Sequence, residues 1–144
     1  MEQFEEKLFS HNELELLCTY WQKKLRIYDW TIGLAIGRKD SFAVEERSGE
    51  VYITEANGSA KILILDPIDY PKNSYIKQDM EVTLVHELLH IRFFPDALNK
   101  QEELLGMLLM EQAIERTAQA LVELRRNGKD KDVHKVEEDS VYRA

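Results

Sequence analysis

Met80-Glu81-Val82-Thr83-Leu84-Val85-His86-Glu87-Leu88-Leu89-His90-Ile91-Arg92-Phe93-Phe94 is the longest apolar run of the chain and carries an H-E-x-x-H motif. It reads as one helix, because Pro95 is the first residue that cannot continue it. On a helix His86 and His90, four residues apart, project from one face, one turn above each other. Two imidazoles so placed reach one zinc ion at about 2.0–2.1 Å, while Glu87 on the adjoining edge can reach a water on that metal. Leu88 and Leu89 point away and anchor the helix in the core. A buried histidine is more often a satisfied core residue than a ligand. Here, however, two histidines and a glutamate fall among Val82, Val85, Leu89 and Phe93, where burial without a shared partner is costly. A metal removes that cost, so the run predicts a zinc site with Glu87 as general base.

A third ligand is needed, and the next helix offers one. Lys100 to Arg126 reads as a long helix, with Asn127-Gly128 beyond it as a C-terminal cap and Arg125 and Arg126 in its last turn. Its apolar stripe runs Leu104, Leu108, Glu111, Glu115, Ala118 and Val122, which puts two carboxylates on the face expected to be buried. Carboxylates there need a cation or hydrogen-bond donors. The His86/His90 pair supplies one answer through a shared metal; Arg or Lys from elsewhere in the chain supplies the other.

His86-Glu87-x-x-His90 followed downstream by Glu111-x-x-x-Glu115 resembles the gluzincin pattern of metallopeptidases. Within that group the chain is similar to the minigluzincins and to the ImmA/IrrE-like peptidases of phages and mobile elements. The resemblance spans about residues 12–127, with specific residues on the two helices only. It implies zinc held by His86, His90 and Glu111, Glu87 as general base, and Glu115 supporting His86 from behind. Met110 stands where many gluzincins have Asn, and Glu115 where Asp or Asn is commoner. No His follows Phe94 within a few residues, unlike the metzincin and SprT-like three-histidine patterns. The implied activity is zinc-dependent hydrolysis of peptide bonds in a protein substrate, such as a regulatory protein of a phage or mobile element. A zinc-binding interaction module with little hydrolysis and a metal-free helical interaction protein are the alternatives.

The rest of the chain reads as scaffold for this centre. With 144 residues it is long enough for a single core, expected over 1–128. A balance of 19 basic against 27 acidic residues makes nucleic acid and anionic membrane poor partners. Cys18 alone provides no disulfide framework, the first residues lack the apolar core of a signal peptide, and no run is long enough to span a membrane. A cytoplasmic protein is expected.

Ser10 or Asn12 caps a first helix to about Arg26, with Leu14, Leu17, Cys18, Trp21 and Leu25 as its buried stripe. Trp30 to Ile36 alternates as a strand, and Arg38 to Ser48 reads as a loop or a frayed hairpin end. Gly49 to Thr54 is a second strand, Asn57-Gly58 a hairpin turn, and Lys61 to Leu65 a third strand. The fold class is therefore α+β: a helix, a small three-stranded mostly antiparallel sheet, the motif helix and the glutamate helix. That order is like the upper half of a zincin, in which a strand edge beside the cleft holds extended substrate; Ile62 to Leu65 is the candidate edge, unless that strand is central. Tyr70 or Tyr75, in the polar stretch 66–79, could stabilise an oxyanion or simply pack on the surface. Arg92 is expected at the surface or in a salt bridge, and His11 and His134 in solvent. The tail from Lys129 alternates Lys, Asp and Glu and is expected to be disordered, with Glu137, Glu138 and Asp139 able to approach the metal.

Overall fold

The protein is described by a computed structural model, which covers residues 5–44, 46–93 and 104–128. The first helix, α1, spans His11–Lys24. Ser10 accepts the Glu13 amide while the Glu13 carboxylate accepts the Ser10 amide, so two otherwise orphaned donors are satisfied reciprocally. Its far end closes when the amides of Arg26 and Ile27 donate to the carbonyls of Lys23 and Gln22. This closure forces Arg26 to φ 61°, a conformation usually left to glycine. Leu14, Leu17, Cys18, Tyr20 and Trp21 form the buried face. His11 is not simply solvated, because its Nε2 lies 2.9 Å from the Leu34 carbonyl.

Three strands follow: β1 (Thr31–Gly37), β2 (Gly49–Thr54) and β3 (Ser59–Leu65). Their order is β1-β3-β2, with β1 parallel and β2 antiparallel to β3, so the sheet is mixed. Gly58 at φ 62° turns the chain from β2 into β3. The expectation that Ile62 to Leu65 forms an edge is corrected: β3 is the central strand. The physical reason is visible in its burial. Ile62 and Ile64 face the helices and are fully buried, while Leu63 and Leu65 on the opposite face are nearly so. A strand covered on both faces has no polar alternation. Residues 38–44 lie over that opposite face. There the buried Glu50 carboxylate accepts the amides of Ala43 and Val44 and the Tyr52 hydroxyl.

The motif helix, α2 (Met80–Phe93), packs against α1, the sheet and the last helix at once. Leu84, Val85, Leu88 and Leu89 are fully buried. The last helix, α3 (Leu104–Asn127), runs antiparallel to α2, since Arg125 and Arg126 meet Glu81 and Asp79 at one end while Glu111 meets His90 at the other. Glu81 has no solvent exposure. Its carboxylate accepts both arms of Arg125 at 2.7 Å, Arg126 at 3.1 Å and the Trp21 indole N–H at 2.8 Å. Asp79 takes Arg126 and also caps α2 through the Glu81 and Val82 amides.

The buried stripe of α3 is Ile114, Ala118 and Val122. Leu108, expected on that stripe, is 58% exposed, and the Glu111 and Glu115 side chains are half-exposed. The fully buried anchors of α3 start at Ile114, while Met107, Glu111, Glu115, Gln119 and Glu123 along its length line a cleft, so one face packs and the adjoining face is open to polar chemistry. Leu104 and the expected helix start from Lys100 fall at or beyond the limit of the described side chains, as do Phe94 and the whole tail.

Candidate metal centre

His86 and His90 leave the same face of α2 and meet the middle of α3. Glu111 lies between them, one carboxylate oxygen 3.0 Å from His86 Nε2 and the other 2.7 Å from His90 Nε2. One ligand atom from each of the three lies within 4.8 Å of the others. Behind them, Glu115 Oε1 is 2.8 Å from His86 Nδ1, and the Gln119 side-chain amide donates to the other Glu115 oxygen. A proton on Nδ1, held by Glu115, leaves the Nε2 lone pair of His86 directed at the common point. Two imidazole nitrogens and a carboxylate form the donor set of a catalytic zinc, and the convergence fits such an ion.

The electrostatics match an unbalanced cluster. Burial would lower the His86 pKa, but hydrogen bonds from its ring to Glu111 and Glu115 outweigh that and push it up to about 10. The same contacts with His86 and His90 hold the Glu111 carboxyl far below the usual carboxylate range, against a smaller opposing effect of desolvation. An imidazole this basic binds a proton strongly when no metal ion competes for the site.

Glu87 stands apart from this network. It is 5% exposed, and burial pushes its carboxyl up to about 7, with His86 and His90 pulling in the other direction. Its carboxylate sits against the first residue of β2. A Cβ on Gly49 would come 2.5 Å from Thr83 Cγ2 and 3.0 Å from Glu87 Oε2. Glycine at this strand start therefore allows α2 to approach the sheet closely enough to shelter Glu87.

These groups open into a cleft of about 1240 Å³ between β2 and α3. Of the residues singled out in the sequence, His86, Glu87, His90, Glu111 and Glu115 all line it. Tyr70 reaches the lining too, but its hydroxyl donates to the Ile76 carbonyl at 2.7 Å. Tyr75 is 80% exposed and is not part of the lining. Arg92 is exposed. Gly49 and Arg47 also border the cleft and were not anticipated. A glycine beginning an otherwise β-branched strand was the available signal for the first; the second had none.

No family model matches the chain, and no curated protein or solved structure matches it either.

Proposed function

We propose that this protein is a zinc-dependent metallopeptidase that hydrolyses peptide bonds in a protein substrate. The observation that carries the reading is the convergence of His86, His90 and Glu111 beside the sheltered carboxylate of Glu87, on the wall of an open cleft. When bound there, zinc supplies Lewis-acid polarisation of a water and of the scissile carbonyl. Glu87 takes the proton of the attacking water and passes it to the leaving amine, a role suited to a carboxyl near 7. Glu115 keeps the His86 ring in one orientation and tautomer. Among the described residues β2 pairs only with β3, and Val51 and Ile53 border the cleft, so its outer backbone edge can hold an extended peptide. A cytoplasmic setting belongs to the same reading; among the described residues no helix is long and apolar enough to cross a membrane.

The test is hydrolysis of an unstructured protein by wild type, by Glu87→Gln and by a chelated sample, with zinc content measured alongside. The expected result is chelator-sensitive cleavage by wild type and a loss of about 10²-fold or more in Glu87→Gln with zinc retained. Equal cleavage by wild type and Glu87→Gln would overturn the assignment, as would a protein that takes up no transition metal.

A further inference from the structure

Among the described residues lining the cleft, Arg47 and Lys77 are the only arginine and lysine. Most acidic groups of the cleft already have partners: Asp79 is taken by Arg126, and Glu111 and Glu115 by the histidines. Arg47 forms no hydrogen bond or ion pair with any described residue. Its charge acts on Glu50 and Glu87, but neither carboxylate is bonded to it. An exposed guanidinium left over in a cleft, on a chain of net charge −8, is not explained by stability.

The described backbone near Arg47 is anchored before it by two hydrogen bonds. Glu46 adopts φ 68°, a left-handed conformation that a non-glycine residue keeps only where its surroundings impose it. Just upstream, the Ala43 and Val44 amides are tied to the buried Glu50 carboxylate. Just downstream, Gly49 lies against Glu87. Arg47 is two residues before that contact, at the entry to β2. A substrate laid along the outer edge of β2 beside Glu87 would pass Arg47, which lines the same cleft.

We propose that Arg47 is the specificity residue of the cleft and that it receives a carboxylate of the substrate, close to the scissile bond. The planar fork of Arg matches a carboxylate in a two-pronged contact, which gives selection as well as affinity. The carboxylate belongs either to an acidic side chain within the substrate or to a free chain end. The word substrate rests on the peptidase reading; the recognition does not.

Binding, not cleavage, is the decisive measurement, made on the full-length protein in chelator. Three otherwise identical labelled peptides serve as probes: amidated with a central Glu, amidated with a central Gln, and the Gln peptide with a free C-terminus. Wild type is expected to bind at least one carboxylate-bearing peptide about tenfold or more tightly than the amidated Gln peptide at low salt. That preference should vanish in Arg47→Gln, persist in part in Arg47→Lys, and survive in Lys77→Gln. Preference for the Glu peptide identifies a side chain as the source; preference for the free terminus identifies the chain end. Equal or unmeasurable binding of all three by wild type overturns the proposal. A preference that survives Arg47→Gln, or that Lys77→Gln abolishes equally, does so as well. Because no hydrolysis is read, an inactive protein with an Arg47-dependent preference counts against the peptidase reading alone.

Discussion

Glu111 and Glu115 sit one turn apart on α3 and touch the same histidine, yet their geometry gives them different work. Glu111 reaches both Nε2 atoms from between them, whereas Glu115 reaches only Nδ1 of His86, on the far side of the ring. Glu111→Gln removes a charged donor from the convergence itself and should weaken zinc affinity severely. Glu115→Gln leaves the donor set intact and only loosens the His86 ring, which predicts a loss of about 10–100-fold. Competition with a chromophoric chelator measures both. A larger loss in Glu115→Gln would exchange the two roles.

At the scale of elements, the centre depends on how α3 lies along α2. Only Ile114, Ala118 and Val122 of the described α3 side chains are buried apolar anchors, and Met107, Leu108 and Leu109 are exposed. At the opposite end from the histidine contacts, the ionic clamp of Arg125 and Arg126 on Glu81 and Asp79, closed from the other side by Trp21, adds a further constraint. Such a clamp is not strong evidence of net stability, because desolvating the charges offsets much of their attraction. Its direction is its value: two arginines on two α2 carboxylates allow few sliding positions. Glu81→Gln takes from Arg125 the carboxylate it grips and leaves Arg126 to Asp79, and should cost about 3–5 kcal/mol in denaturant unfolding. In the fraction still folded, zinc affinity should fall although no ligand has been changed. Retention of full affinity would mean that apolar packing alone sets the register of the two helices.

For the molecule as a whole, acid stability should report on the sheet as well as on the cleft. Burial raises the Glu50 pKa, but hydrogen bonds from Tyr52, Val44 and Ala43 outweigh it, so the folded value lies below the ordinary 4.5. A carboxyl lowered on folding contributes stability that is present above its unfolded value and is lost as pH falls through the folded one. Wild type should therefore lose stability progressively below about pH 4.5, and Glu50→Gln should lose less over that window. Urea midpoints between pH 3 and 6 test this, using metal-free protein so that zinc release does not enter; parallel slopes for the two proteins would sink the idea.

Much of this molecule is encoded by short-range pattern. The four-residue spacing of His86 and His90, the alternation through Thr31–Gly37, the Gly49–Thr54 strand and the Asn57-Gly58 turn each depend on a few consecutive residues. Period and turn chemistry are local, so they can be read without a partner. The α+β class follows from the order of those elements. Contacts across the sequence decided the rest. β3 became central because β1 pairs with it in parallel, which no strand pattern announces. Glu81 looked like any acidic residue of a first helical turn until Arg125, 44 positions away, and Trp21, 60 positions away, closed over it. Leu108 read as core and is exposed, since the fully buried apolar anchors of α3 start only at Ile114. Burial depends on what packs opposite a residue, and the residue's own stretch of chain does not contain that information.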